Sequence, residues 1–396
     1  MGVTQLGKII ETNPIEFDVL NKKIIAIDAY NSLYQFLATI RQATDGTPLT
    51  DQEGRITSHL KGLFNRTIKL IELGIKPVYV FDGPPLKIKQ DTLNKRMERR
   101  NEAKMKYEKA LEEEDYSAAK KYAQAAIFLN KEMVEESKHL LHLMGVPIVE
   151  AISEGEAQAA YMTNLEKVWA SSSQDWDSLL FGSQRLIRNL TITGIRRTAK
   201  GIIKILPEMV ELKSVFKSLG LTREQLIDIG ILVGNDYNEG IKGIGPKNAL
   251  KYLVEYKSIE NFLDKYTSSL IKKKEKAIEE KEKLERLIKT INDEVKLDKY
   301  KKDYSRVEQK IEVYQINMNE RIPVIEENLD NLRNMFLNPE VKEDVNIEMG
   351  SLRKKEIFNL LVKERNFNNE SVMKSLKRLE KHVVPIERKT LDSYFS

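Results

Sequence analysis

Two short apolar runs, each ending on an aspartate, constrain this chain most: Ile24-Ile25-Ala26-Ile27-Asp28 and Pro77-Val78-Tyr79-Val80-Phe81-Asp82. Continuous β-branched runs of this length read as strands buried on both faces, the habit of parallel sheets. Parallel neighbours need a crossover, and Leu60 to Leu73 supplies one, with apolar residues at helical spacing that stop before Gly74. The resulting strand–helix–strand unit predicts an α/β sheet. It also places both aspartates at the carboxyl ends of strands, where such sheets gather their ligands.

The pattern returns at Gly145 to Ile152, and Val168 to Ser173 reads as a third strand. Between the two halves, Leu86 to Met144 contains neither glycine nor proline and is heavily charged, with Lys95-Arg96 and Arg99-Arg100 near its start. Long helices with little core-facing surface are expected there, either a solvated face or a basic feature over a substrate channel. Helical spacing resumes over Thr222–Val233, followed by the loop Gly234-Asn235-Asp236. Farther on, Leu284, Leu287, Ile291 and Val295, and then Tyr300, Tyr304, Val307, Ile311 and Tyr314, form two seams. They predict a coiled-coil-like hairpin turning near Leu297-Asp298.

Composition narrows the chemistry. The 396 residues, 41% of them hydrophobic, suffice for one sizeable α/β core with helical additions, or for two domains. With no cysteine and only four histidines, disulfides are excluded and zinc lacks its usual ligands. Metal chemistry must therefore rest on carboxylates, which select hard ions such as magnesium or manganese. No apolar run approaches the roughly 18 residues of a membrane span, and the N-terminus lacks a signal-peptide pattern. Leu6 stands where a myristoylation motif needs Ser or Thr. A soluble intracellular protein without a membrane partner is expected. The net charge of +5, from 65 basic and 60 acidic residues, neither demands nor excludes nucleic acid.

Seven acids stand out: Asp28 and Asp82 at strand ends, and Glu154 and Glu156 in Ser-Glu-Gly-Glu-Ala. Asp175 and Asp177 flank Trp176, and Asp236 lies in the Gly-Asn-Asp loop. Each alone has an ordinary explanation. Ser153 and Glu156 have capping-box spacing, Asp175 or Asp177 could cap the helix holding Leu179 and Leu180, and a strand-end aspartate can begin a turn. Gathered at one end of a sheet, however, they would repel, and divalent cations would neutralise them. Two magnesium ions about 4 Å apart can activate water, bind a scissile phosphate and stabilise the leaving oxygen. That is the chemistry of phosphodiester hydrolysis.

A second motif is Ile241-Lys242-Gly243-Ile244-Gly245-Pro246-Lys247, between two apolar-periodic stretches. Glycines allow a tight turn and close backbone approach, and Pro246 suits the first position of a helix. Backbone N–H groups at that helix start can hold a phosphate without reading sequence. Gly243, Gly245, Lys242 and Lys247 are thus candidate contacts of a helix-hairpin-helix duplex binder.

As a set, these stretches resemble the flap endonuclease family, in its archaeal–eukaryotic branch. The matching residues are Met1-Gly2-Val3, Ile27-Asp28-Ala29, Ser32-Leu33-Tyr34-Gln35-Phe36-Leu37 and Lys76 to Gly83. Ser153 to Ala157, Ser173 to Gly182 and Gly234-Asn235-Asp236-Tyr237 continue the match in order, to about residue 260.

The resemblance implies a PIN-like, Rossmann-like α/β nuclease core with a mostly parallel sheet, a helical arch, a helix-hairpin-helix and a C-terminal helical extension. The expected regions are 1–100 (N-terminal nuclease region), 101–144 (arch and connection, the arch beginning near 86) and 145–260 (intermediate region with the hairpin). Residues 261–385 form a C-terminal helical region, with a charged arm at about 265–325, and 386–396 a tail. That arm looks longer and more charged than the family usually carries. By resemblance, Asp28, Asp82, Glu154 and Glu156 serve mainly one magnesium ion, and Asp175, Asp177 and Asp236 mainly a second. Manganese can substitute, and a potassium ion often accompanies the hairpin. Lys89 and Arg96 match basic residues at the foot of the arch that steady the scissile phosphate. Tyr34 matches an aromatic that stacks on the base at the cut, and Gly2 a processed terminus near the site.

The tail Lys389 to Phe395 looks like a sliding-clamp-binding peptide of the proliferating cell nuclear antigen type. Leu391, Tyr394 and Phe395 fill the pocket positions, and Arg388 stands where glutamine is usual. The expected enzyme is thus a hydrolase of ester bonds, cutting DNA near the base of 5′ flaps by two-metal hydrolysis, with 5′–3′ exonuclease activity. It would act in Okazaki fragment maturation and base excision repair, as a monomer on branched DNA. Its compartment would be the cytoplasm or nucleoid in an archaeon and the nucleus in a eukaryote. A related 5′ exonuclease, or an inert clamp-tethered DNA-binding scaffold, is the alternative. An excision-repair cousin would carry a much longer insert between Asp82 and Glu154.

Overall fold

The computed structural model describes residues 4–42, 46–191, 195–198, 201–291 and 293–383. The chain divides into two units. A sheet unit spans 12–174, 183–212 and 340–396, and a helical unit spans 1–11, 175–182 and 213–339.

In the sheet unit, the apolar runs pair as their composition requires. β1 is Asn13–Pro14, β2 Ile24–Asp28, β3 Lys76–Phe81, β4 Ile148–Glu150 and β5 Ala170–Ser172. β6 is Arg185–Arg188, β7 Ile195–Thr198, β8 Gly201–Lys204 and β9 Glu208–Glu211. Seven of them form one sheet in the order β1-β9-β6-β5-β2-β3-β4, and β7 pairs with β8. Strands β2 to β6 run parallel, with Asp28 opposite Val80, whereas β9 and β1 are antiparallel additions at one edge. Both faces of the central strands are covered. Ile25, Ile27, Tyr79 and Phe81 enter one apolar cluster, and Ala26, Val78 and Val80 enter another. Each buried aliphatic or aromatic side chain stabilises this arrangement by about 1.5–3 kcal/mol.

Six helices accompany these strands: α1 (Ala29–Thr39), α2 (Ser58–Glu72), α3 (Gln90–Glu112), α4 (Tyr116–Ala125), α5 (Lys131–Leu143) and α6 (Gly155–Asn164). The expectation of a core-poor stretch from Leu86 to Met144 holds for α3 and α4, whose buried residues are alanines. It fails for α5, which buries Met133, Val134, Leu140, Leu141 and Leu143 in the sheet unit's core. Their three-four spacing makes an apolar stripe that the surrounding charge conceals.

The helical unit carries α7 (Asp177–Leu180), α8 (Leu212–Leu219), α9 (Arg223–Val233), α10 (Pro246–Tyr256), α11 (Ile259–Thr290), α12 (Glu294–Ile316) and α13 (Ile322–Leu337). Thr222 and Gln225 close a reciprocal capping box on α9. α11 and α12 pair into the expected arm, but the hairpin turns earlier than Leu297-Asp298. Asp293 caps α12 by accepting the N–H groups of Val295 and Lys296, so the helix already runs through the expected turn. Val295, expected in the seam, is 82% exposed. The α11 side is instead Leu270, Ala277 and Leu284, spaced by sevens, with Ala277, Leu284 and Val307 packed against Tyr300, Tyr304, Ile311 and Tyr314.

The chain then returns to the sheet unit with α14 (Lys354–Phe358) and α15 (Asn369–Val383). Arg378 on α15 grips Glu72 on α2 through two bonds of 2.5 Å. Among the described residues no helix is long and apolar enough to cross a membrane. Gly2 and the tail residues Leu391, Tyr394 and Phe395 lie outside the described residues.

Candidate active site

Four of the seven acids belong to the sheet unit. Asp28 ends β2 and caps α1, its Oδ1 accepting the Asn31 N–H at 2.9 Å. Its other oxygen accepts from Ser173 Oγ at 3.3 Å. Asp82 directly follows β3, and its Oδ1 accepts the Gly155 N–H at 2.7 Å. That amide is the first of α6, at the helix's positive end. A Cβ on Gly155 would stand 2.7 Å from the same oxygen, so only glycine admits this contact. Gly83 donates its N–H to the Ser153 carbonyl at 2.7 Å, and a Cβ there would lie 2.3 Å from the Ile152 carbonyl oxygen. The two glycines thus let the exit of β3 close onto the segment carrying Glu154 and Glu156.

Helix α6 begins one residue later than Ser153 capping would require. Glu154 occupies the cap position, no side-chain cap bond is made, and Glu156 lies in the first turn. Lys89 Nζ is 2.6 Å from Glu154 Oε2, both side chains being about seven-eighths buried at 13% and 15% exposure. Lys89 closes the short 3-10 turn Lys87–Lys89, and Arg96 follows two turns along α3, half-buried. Tyr34 on α1 is half-buried. The Arg100 guanidinium lies 5.5 Å from its ring centre and Arg100 Nη2 is 3.2 Å from its hydroxyl. The predicted stacking residue therefore presents a flat face already occupied by a cation.

The other three acids belong to the helical unit. Asp175 and Asp177 flank Trp176, which is 2% exposed and packs so tightly on Gly7 that a Cβ there would lie 2.8 Å from its ring. Trp176, not an aspartate, occupies the cap position of α7, and no side-chain cap bond forms. Asp236 is 9% exposed and Asp177 is 7%. Asn235 Oδ1 accepts the N–H groups of Tyr237 at 2.8 Å and Asn238 at 3.1 Å, fixing the loop that carries Asp236. Phe336 draws the two segments to one aromatic centre, 5.0 Å from Phe181 and 5.3 Å from Tyr237. Arg223 ties the carbonyls of Phe181 and Phe336 at 2.9 and 2.8 Å.

The Gly-rich segment forms the turn between α9 and α10. Ile241 and Ile244 are buried, whereas Lys242, Gly243 and Lys247 are exposed. Gly243 has φ +92°, a value that favours glycine, and Pro246 is the first residue of α10 after Gly245 at the cap. The Lys242 backbone is held on both sides by Asn317, which accepts its N–H and donates Nδ2–H to its carbonyl, both at 2.9 Å.

Sequence reasoning named Arg100 and Asn235 only as members of motifs, and missed Arg223, Asn317 and Phe336. An asparagine two residues before a loop amide carries a local turn signal, so Asn235 was within reach. The rest act across long sequence separations that no local pattern encodes. Among the described residues, no three acidic or histidine side chains converge tightly enough to cage an ion. Asp28 instead meets an amide and the Ser173 hydroxyl, Asp82 an amide, and Glu154 the Lys89 ammonium. The acids are all-oxygen donors, the chemistry a hard divalent ion takes.

A mostly parallel sheet with acids at its strand ends, joined in one chain to an exposed glycine hairpin, defines the class: a PIN-like α/β nuclease. The XPG N-terminal domain matches residues 1–103 and the XPG I-region residues 145–236. A protein named flap endonuclease 1 from Caldivirga maquilingensis is 45% identical over 100% of both chains, and one from Sulfolobus acidocaldarius 43% identical over 98% of this chain and 99% of its own. The solved flap endonuclease-1 of Methanococcus jannaschii is 35% identical, with a TM-score of 0.64 over 96% of this chain and 98% of its own. The catalytic core of Rad2, solved with a DNA substrate, is 25% identical with a TM-score of 0.64 over 96% and 100%. The chain belongs to the flap endonuclease family. It is a nuclease, and nucleases of this family depend on metal.

Proposed function

We propose that this chain is a structure-specific 5′-flap endonuclease that hydrolyses DNA phosphodiesters near the flap base with two magnesium ions. The observation that carries the reading is the fixed Asp82–Gly155 contact, which joins a strand-end acid to the helix start bearing Glu154 and Glu156. The full-length identity to flap endonucleases supports it. Asp28, Asp82, Glu154 and Glu156 would hold one ion, and Asp175, Asp177 and Asp236 the other. Bound there, the ions supply a nucleophilic water and neutralise charge on the phosphate.

The chain's own groups do the rest. Lys89 and Arg96 place positive charge where the phosphate gains negative charge in the transition state. Tyr34 offers a ring to the base beside the cut, with Arg100 displaced or sandwiched above it. The hairpin amides of Gly243, Gly245 and Lys247 hold a duplex phosphate, and a potassium ion there adds to the same grip. Leu391, Tyr394 and Phe395 would dock a sliding clamp, which peptide binding to that clamp measures directly.

The test is a double-flap DNA incubated with and without magnesium. Cutting near the flap junction only with magnesium is expected, and no such cut would overturn the reading. Asp177→Ala should abolish cutting while leaving DNA binding in place. A variant that cuts undiminished would remove Asp177 from the ligand set. The same DNA with a recessed 5′ end in place of the flap measures the accompanying exonuclease activity.

A further inference from the structure

The α11–α12 arm takes no part in this chemistry, yet its surface charge is sorted. Lys265, Lys272, Lys276 and Lys283 are all exposed on α11. They lie 7, 11 and 18 residues from the first, which at 100° per residue puts all four within about 20° of one line. Among the described residues none of the four makes an ion pair, whereas Lys281, off this line, is tied to Glu308 at 2.8 Å. Asp264, Glu275, Glu282 and Glu285 fall about 80° or more away, and only Glu279 and Glu280 flank the stripe, at about 40° and 60°.

A lysine face alone is often just solvated. This one is anchored to the glycine hairpin at the base of the arm, where α11 begins and α12 ends. At the root of α11, Phe262 stacks on Tyr252 of α10 at 4.6 Å and on Tyr266 at 4.9 Å. At the far end of α12, residues Asn317–Arg321 form a π-helical turn. There the fully buried Asn317 clamps the Lys242 backbone and Arg321 pairs with Glu239. Such turns insert one residue into a helix and recur at functional sites. The base of the stripe is therefore held beside Lys242.

We propose that the arm extends the hairpin's duplex-binding surface, its four aligned lysines contacting the phosphate backbone of the DNA beyond the hairpin. Eighteen residues of helix span about 27 Å, the length of about eight base pairs. The inference rests on the hairpin being a duplex binder.

The test replaces all four lysines with glutamine and measures flap-DNA affinity against salt. A charge-matched control replaces Lys296, Lys299, Lys301 and Lys302 of α12. Each lost phosphate contact lowers the slope of log affinity against log salt by about 0.9, so a reduction of about 2 to 3.6 is expected. At about 0.1 M salt the dissociation constant should rise at least tenfold. Lengthening the hairpin-side duplex by about eight base pairs should tighten binding by the wild type and not by the variant. Wild-type affinity and slope in the stripe variant, or an equal loss in the control, overturns the proposal, and would leave an acidic protein as the occupant to seek. Failure of the wild type itself to cut with magnesium defeats the functional reading instead, so the two failures are distinguishable.

Discussion

Lys89 Nζ stands 2.6 Å from Glu154 Oε2, joining the 3-10 turn Lys87–Lys89 to the cap position of α6. The ammonium sits beside an acid proposed as a metal ligand. Lys89→Met should lower single-turnover cleavage at saturating DNA by about a hundredfold, the usual loss on removing one preorganised charge donor. Affinity for flap DNA should change little. If instead the rate held and only the melting temperature fell, Lys89 would be a structural ion pair.

Gly155→Ala tests the geometry beneath that pair. The new methyl would stand 2.7 Å from Asp82 Oδ1, displacing the carboxylate from the α6 amide. Overpacking of this kind costs about 1–3 kcal/mol. The displaced ligand should also raise the magnesium concentration for half-maximal cutting. Titrating magnesium in single-turnover assays reads this out, and an unchanged midpoint would mean that Asp82 does not need its helix contact.

These two contacts show how far local pattern reaches. The strands, the crossover helix and the acids at strand ends were legible because short, β-branched apolar runs bounded by polar residues favour a buried strand over a helix. Gly155 was visible as part of a motif, but its reason was not. The clash with Asp82 exists only once residues 73 positions apart are brought together. The capping box at Ser153 and Glu156, the ordinary alternative for Glu156, is not realised, since the helix starts with Glu154 at the cap and no side-chain cap bond. The seam of the arm was half legible. Tyrosines announce themselves, whereas Ala277 does not look like core.

The Arg333 guanidinium holds Asp228 through two bonds of 2.8 Å and reaches Glu260 at 2.6 Å, joining α9, α11 and α13. Asp228 is 2% exposed, so removing its partner would strand a buried charge. Arg333→Met should destabilise the protein by about 3–5 kcal/mol. The double variant Asp228→Leu/Arg333→Met should recover much of that loss, since Glu260 is exposed to water. Denaturant unfolding of both variants checks the pair, and equal stabilities would show that the single loss is one of packing.

His59 makes stability depend on pH. It is fully buried on α2, with Nε2 3.2 Å from Glu136 Oε2, and Glu136 is itself paired with Arg365. Burial, and then the Arg365 charge, push its pKa down from 6.5 to about 4. The folded imidazole is thus neutral at pH 5, donating from Nε2, while Nδ1 has no hydrogen-bond partner among the described residues. The unfolded chain takes up a proton near pH 6.5 and the folded chain only near pH 4. Stability is therefore fully present above pH 6.5 and is lost as pH falls toward 4, by up to about 3 kcal/mol. His59→Gln, whose amide can still donate to Glu136, should flatten the slope of unfolding free energy between pH 5 and 6 by about 1 kcal/mol per pH unit. Denaturant melts at pH 5, 6 and 7 measure it, and identical slopes for the two proteins would mean that His59 titrates alike in both states.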